Sequence, residues 1–264
     1  MIKQRKKLGQ NFLKNKHIAI MAVNSSLVEK NDIILEIGPG KGFLTRQILE
    51  SGEKLIAIET DIHLIEHLQS IFINEIESGK LVLIKDDITS LDISTLGLTN
   101  GGYKVIANIP YYITGQIIRK FLSSTLKPKT MVLMLQKEVA RRIIASDKKE
   151  SILSISVKAF CLPKYIHTVK AGNFSPKPKV DSALIGFFDI ASKIKDVDEE
   201  HFFEVLKVGF AQKRKLLVGN LHRHYGLDLL DKFDEINIPR NVRAEDISFE
   251  QWLKIACFIP KTKI

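Results

Sequence analysis

Short apolar runs alternate along this chain with stretches whose apolar residues recur every three or four positions, and the two periods predict different elements. Residues 33–37 read as a buried strand, followed by a glycine turn and a helix over about 43–51. Residues 55–59 predict the next strand, and 62–76 an amphipathic helix behind it. Further strands are expected at 81–84, 103–107 and 130–136, with 167–169 and 183–188 as a final pair. Strand and helix alternating at this spacing predict an α/β fold, a doubly wound and mostly parallel sheet with helices on both faces. Near Asp189 the pattern changes. Residues 191–200 are polar and charged, as a linker would be, and beyond them the period is helical over 201–210, 213–225 and 249–258. The expected organisation is a domain over 1–190 and a small all-α domain over 191–264.

Composition narrows the class. A hydrophobic content of 45% in 264 residues supports a real core. No run reaches the ~18 apolar residues of a membrane span, so no membrane association is expected. Cys161 and Cys257 lie far apart without metal-ligand spacing, which argues against a metal site and fits a reducing, cytoplasmic setting. A monomer is the simpler expectation. The net charge of +10 is concentrated in residues 1–190, with 27 Lys/Arg against 18 Asp/Glu. The first 16 residues hold six bases and no acid, including Lys3, Arg5, Lys6 and Lys7. Residues 104–179 hold 15 bases against three acids, among them Arg141, Arg142, Lys177 and Lys179. A third basic run is Lys213-Arg214-Lys215. Such blocks are the footprint of a polyanion such as RNA, although a run of this kind on a helix is equally a solvated face.

Doubly wound sheets bind ligands beyond the carboxyl ends of their strands. The first strand runs into Glu36-Ile37-Gly38-Pro39-Gly40-Lys41-Gly42, where glycines allow close backbone approach and a helix N-terminus follows. The spacing departs from the dinucleotide fingerprint, and the acid at Glu36 would repel a pyrophosphate. It would suit a cofactor with a cationic amino-acid end, as S-adenosylmethionine has. Glu59 ends the second strand, where a carboxylate can accept ribose hydroxyls. Asp87 follows the third and can take the adenine amino group, with Ile88 against the ring face. One such acid is equally an N-cap or a loop carboxylate. Acids or amides ending four strands in register are a stronger signal.

The fourth strand ends in Asn108-Ile109-Pro110-Tyr111. An exocyclic amine on a base is a poor nucleophile because its lone pair is delocalised into the ring, so a catalyst needs acceptors for its N–H groups. The Asn108 side-chain oxygen and the carbonyl of Ile109 or Pro110 are candidates, with proline fixing the backbone and Tyr111 stacking on the base. The same tetrapeptide is also an ordinary strand end.

With Gln10-Asn11-Phe12-Leu13, the glycine turn, Glu59, Asp87 and Asn108-Ile109-Pro110-Tyr111 in this order, the chain resembles the KsgA/RsmA family of small-subunit ribosomal RNA adenine dimethyltransferases over nearly its whole length. The stretch Phe174-Ser175-Pro176-Lys177-Pro178-Lys179-Val180-Asp181-Ser182 is the most discriminating, and Leu135-Gln136-Lys137-Glu138-Val139, Phe210-Ala211-Gln212-Lys213-Arg214-Lys215 and Arg243-Ala244-Glu245 add to it. The resemblance implies a Rossmann-like class I methyltransferase sheet. It also implies N6-dimethylation of two adjacent adenosines near the 3′ end of 16S rRNA, with the small ribosomal subunit as partner and S-adenosylmethionine as donor. It assigns cofactor contacts to Asn11, Leu13, Gly38, Glu59, Asp87 and Asn108, to which the residues themselves add Glu36, Gly40 and Ile88. It assigns target-base contacts to Asn108, Pro110, Tyr111 and Phe174, with the base clamped between Tyr111 and Phe174. Phe174 also reads as a core aromatic before a proline turn. Two departures stand out, Tyr112 where the family commonly has Asn and Val218 where an Arg is usual. Rival readings are a resistance-type large-subunit rRNA methyltransferase, a catalytically idle assembly factor and a small-molecule methyltransferase.

Overall fold

The protein is described here by a computed structural model over residues 11–51 and 54–261. Its elements run β1 (Phe12–Leu13), α1 (Lys16–Ser25), β2 (Ile33–Ile37), α2 (Phe43–Glu50), β3 (Lys54–Glu59), α3 (Ile62–Ile71), α4 (Ile73–Glu77), β4 (Leu81–Lys85), β5 (Tyr103–Asn108), α5 (Thr114–Ser123) and β6 (Thr130–Gln136). They continue with α6 (Lys137–Ile144), α7 (Ile152–Lys158), β7 (Leu162–Val169), β8 (Phe174–Ser175), β9 (Ser182–Phe188), α8 (Glu199–Gly209), α9 (Leu217–Tyr225), α10 (Leu230–Glu235) and α11 (Phe249–Phe258).

Seven strands form one sheet in the order β4-β3-β2-β5-β6-β9-β7. The first five pair in parallel, and β9 is inserted antiparallel between β6 and β7. Because side chains alternate along a strand, each strand feeds two cores. Ile34, Leu55, Ile106, Val132 and Leu184 pack with Ile18 and Ala22 of α1, Ile48 of α2 and Leu68 of α3. On the other face Tyr103 meets Phe121 of α5 with ring centroids 6.5 Å apart. This is the expected α/β arrangement. Lys104, a charge inside an otherwise apolar strand, is 1% exposed and is held by Asp32 at 2.6 Å and by the Leu27 carbonyl.

Two helices differ from the periodic pattern. The helix expected over 62–76 breaks at Phe72, which adopts φ −123° and ψ 30°. Its ring, 1% exposed, lies where any side chain at Gly42 would collide with it and beneath the Arg46 guanidinium. The helix expected from 213 begins at Leu217, because Asn220 donates to the Gly209 and Gln212 carbonyls and holds the intervening residues as a turn. Lys213, Arg214 and Lys215 are exposed on that turn.

The chain divides into two compact units, one containing residues up to 140 with 162–190, the other 141–161 with 191–264. Residues 141–161, expected in the first domain, thus belong to the second unit. The reason lies in its core. Phe160 stacks on Phe203 at 6.0 Å, and the Ala191 and Lys193 N–H groups donate to the Phe160 and Ala159 carbonyls. Elsewhere in this unit Phe210 stacks on the fully buried Trp252 at 5.4 Å.

Candidate active site

The carboxyl ends of β2, β3, β4 and β5 open onto a cavity of about 380 Å³, within the size range of small-ligand pockets. Asn11, Leu13, Glu36, Gly38, Gly40, Glu59, Asp87, Ile88, Asn108, Pro110 and Tyr111 all line it. Parallel pairing in register explains the convergence, since Ile37 pairs with both Ile58 and Ala107, and Glu59 with Lys85. Strands of matched length deliver their last side chains to one edge.

The glycine turn is shaped by its conformation. Gly38 and Gly40 have φ of +68° and +59°, where side chains are strained, and a Cβ at Gly40 would lie 2.8 Å from the Phe12 ring. Phe12 itself is carried over the turn by pairing of β1 with β8, Phe12 opposite Ser175 and Leu13 opposite Phe174. Lys41 lies over the Phe12 ring at 5.0 Å.

Glu36 is 1% exposed, and neither of its carboxyl oxygens has a hydrogen-bond partner among the described residues. Burial pushes its carboxyl up to about 8; nearby Thr45 opposes this, and the Glu59 carboxylate adds to it. Glu59 is buried too but well supplied with donors. Its Oε1 accepts from the N–H groups of Thr60 and Asp61 at 2.9 and 3.0 Å, and its Oε2 accepts from the Gly40 N–H at 3.2 Å. Asp87 is exposed, and its Oδ1 accepts from the N–H and hydroxyl of Thr89 at 2.8 and 2.7 Å. That is the turn-forming role that any loop carboxylate can take, and it leaves Oδ2 available.

On the opposite wall the Asn108 Nδ2 donates to the Asn11 carbonyl at 3.0 Å. A carbonyl only accepts, so this contact fixes which end of the amide is which. The Oδ1 is left as the group without a donor among the described residues. Pro110 adopts φ −57° and ψ 137°, and its carbonyl accepts from the Ile113 N–H at 3.2 Å. The Tyr111 hydroxyl lies 2.8 Å from that of Ser182. Burial raises the Tyr111 phenol above its ordinary value, partly offset by the Ser182 hydroxyl and reinforced by the Asp181 carboxylate, so it stays neutral at physiological pH.

Phe174 does not reach this cavity. It is 2% exposed and packs in the core with Leu13, Val169 and Leu184, which corrects the expectation of a two-ring clamp formed with Tyr111. Pairing with Leu13 turns its side chain inward. Of the basic residues, Lys177 and Lys179 are exposed in the first unit, and Arg141, Arg142, Lys213, Arg214 and Lys215 are exposed in the second. Lys3, Arg5, Lys6 and Lys7 lie outside the described residues. Reasoning from sequence missed Ser182 as the partner of Tyr111, and also Gln116 and Thr60 on the cavity wall. A serine inside a recognised stretch offers no signal of what it touches.

The family model for ribosomal RNA adenine dimethylase matches residues 1–261. The chain belongs to the ribosomal RNA adenine dimethylase family. The ribosomal RNA small subunit methyltransferase A of Mycoplasmopsis synoviae is 39% identical over 254 residues, covering 94% of this chain and 93% of that protein. The protein of the same name from Dehalococcoides mccartyi is 34% identical over 258 residues, covering 96% and 88%. A solved dimethyladenosine transferase from Plasmodium falciparum superposes with a TM-score of 0.78 at 26% identity, over 92% of this chain and 95% of that one. The 23S rRNA methyltransferase ErmE superposes at 0.76 with 19% identity, over 93% and 98%, a likeness of fold. This adenine dimethylase therefore has a class I methyltransferase fold, and a methyl donor of the S-adenosylmethionine type follows from family and fold. No helix among its described residues is long and apolar enough to cross a membrane.

Proposed function

We propose that this family member dimethylates N6 of two adjacent adenosines in the 3′-terminal hairpin of small-subunit ribosomal RNA, using S-adenosylmethionine, late in subunit assembly in the cytoplasm. The observation that carries the reading is the oriented Asn108 amide, with Nδ2 tied to the Asn11 carbonyl and Tyr111 on the same wall. The names of the small-subunit relatives at 34% and 39% identity support the choice of RNA.

The cavity's donor set fits S-adenosylmethionine. Glu36 offers a buried carboxyl whose oxygens lack partners, suited to an ammonium group. Glu59 keeps capacity on Oε2 for a ribose hydroxyl, since Oε1 is already filled by main-chain donors. Asp87 through Oδ2 takes the adenine amino group, and buried Ile88 packs against the ring. Gly38 and Gly40 let the backbone approach, and Asn11 and Leu13 line the same cavity. The bound donor supplies an electrophilic methyl group on sulfonium.

The protein's part in the reaction is positioning. Asn108 Oδ1 and the carbonyl of Ile109 or Pro110 accept the two N–H bonds of the target adenine, which draws the nitrogen lone pair out of conjugation. Tyr111 stacks on the flipped base, and Pro110 fixes the carbonyl's direction. The methylated nitrogen is acidic enough to lose its proton to water, so no histidine or other strong base is needed. Rate then comes from proximity, orientation and placed dipoles. Phe174 supports this wall from the core and does not form a second clamp. Lys177, Lys179 and the exposed bases of the second unit bind RNA phosphates, as do Lys3, Arg5, Lys6 and Lys7.

The test is transfer of labelled methyl from S-adenosylmethionine to small subunits lacking the modification, beside large subunits and free adenosine, with the product mapped. Two adjacent dimethylated adenosines on the small subunit are expected. Label on the large subunit alone, or on free adenosine, overturns the reading.

A further inference from the structure

Tyr112 is the most exposed large apolar side chain among the described residues, at 66%, yet it belongs to the cavity wall. It follows Tyr111 in a single tight turn over residues 111–113. That turn is held at both ends, by the Ile113 N–H on the Pro110 carbonyl at 3.2 Å and by buried Thr114, whose N–H donates to the Tyr111 carbonyl. Successive residues of such a turn point about 120° apart, so the two rings face different ways. Tyr111 is half-buried and tethered through its hydroxyl to Ser182. Tyr112 is exposed, with no hydrogen bond of its hydroxyl and no ring contact among the described residues.

An aromatic ring left in water at the lip of a pocket, on a stiff backbone, loses little freedom on stacking. We propose that Tyr112 is a second stacking platform, taking the nucleobase adjacent to the one held at Asn108 and Tyr111. This rests on the reading of the cavity as the site of a flipped adenine. A strand entering the cavity base-first must unstack the target from its neighbour, and the neighbour's exposed face then lacks a partner. Tyr112 supplies one at the point where the strand turns in. The surroundings suit a nucleic acid strand. Gln116 lines the same wall, and Arg119, one turn further along α5, is exposed with no ion pair among the described residues. The chain as a whole carries a net charge of +10, which favours a polyanionic partner. Stacking is tolerant of base identity because every base has a π-face, so Tyr112 positions the strand, and the Asn108 side selects adenine.

The experiment uses the full-length enzyme and unmethylated small subunits, comparing wild type with Tyr112→Phe, Tyr112→Leu and Tyr112→Ala. Methyl transfer is followed across RNA concentration at saturating donor, and donor binding is measured separately. A hairpin RNA carrying 2-aminopurine beside the target adenosine gives a fluorescence signal for stacking. Tyr112→Ala is expected to raise the KM for RNA about five- to 150-fold, the range that aromatic stacking contributes per base. Tyr112→Phe should lie within about twofold of wild type, with Tyr112→Leu close to Tyr112→Ala, and donor affinity should be unchanged in all three. The 2-aminopurine quenching seen with wild type and Tyr112→Phe should be lost in Tyr112→Ala. Wild-type transfer to small subunits with an unchanged KM and unchanged quenching in Tyr112→Ala overturns the inference alone. Failure of wild type to methylate small subunits overturns the reading of the cavity, and this inference with it.

Discussion

Tyr111 and Ser182 are 71 residues apart in the chain, and their hydroxyls lie 2.8 Å from one another. Ser182 is fully buried on β9, paired with Gln136 on one side and Val169 on the other. Its hydroxyl therefore has a fixed position, and so does the phenol that meets it. Removing it with Ser182→Ala should lower methyl transfer about three- to tenfold, the net worth of one hydrogen bond. In a Tyr111→Phe background the same substitution should have no further effect. A double-mutant cycle in kcat/KM measures this, and additive losses would show that Ser182 acts elsewhere.

Asn108→Ala should lower transfer by about 10²–10³-fold, the typical loss when one placed dipole is removed from a reacting centre. Asn108→Asp should be comparably inactive, because a carboxylate facing the Asn11 carbonyl loses the contact that orients Asn108. Donor binding by calorimetry should be largely retained in the alanine variant. Retained transfer in the alanine variant would remove the proposed hold on the amino group, and retained transfer in the aspartate variant would show that the Asn11 contact is not needed to orient it.

Glu36 predicts an unusual pH dependence. Burial pushes its carboxyl up to about 8 in the folded protein, from an ordinary value of 4.5. Between these values the unfolded chain is ionised and the folded one protonated, so folding takes up a proton and stability falls as pH rises. Below about 4.5 the group makes no difference, and above about 8 the penalty is constant. Glu36→Gln should thus melt higher than wild type at pH 7, by up to about 3 kcal/mol. The advantage should vanish toward pH 4.5. The same variant should bind the donor more weakly, since it cannot become an anion opposite an ammonium group. A melting temperature lower than wild type at pH 7 would contradict the account.

Phe174 distinguishes a core role from a clamp. As a buried ring it should cost about 3–5 kcal/mol when cut to alanine, whereas Phe174→Leu should cost about 1–2 kcal/mol. The leucine variant should then transfer methyl normally at a temperature where it is folded. Loss of transfer in a folded Phe174→Leu protein would mean that the ring reaches the base after all.

Salt should weaken RNA binding steeply. Replacing Lys213, Arg214 and Lys215 with glutamine should reduce the slope of log K against log salt by about two to three, without altering which base reacts. An unchanged slope would assign that run to solvent.

The amino-acid sequence by itself determined the α/β class, the parallel strands β2 to β6 and the residues at their ends, because each is written in local periodicity and in turn chemistry. Glu59 and Asn108 were legible as the last residues of their strands, whose direction the strand sets, and Glu36 and Asp87 as the acids just before and just after a strand end. It also placed the change to helical structure near residue 190. Tertiary structure decided what depends on contacts between distant segments. The short β1–β8 pair turned Phe174 into the core while laying Phe12 over Gly40. The Phe160–Phe203 stack drew residues 141–161 into the second unit. Asn220 unwound the basic run from its expected helix. The direction of the Asn108 amide was set by a carbonyl 97 residues away. Periodicity reports how a side chain faces along its own element, and only long-range packing determines what it faces.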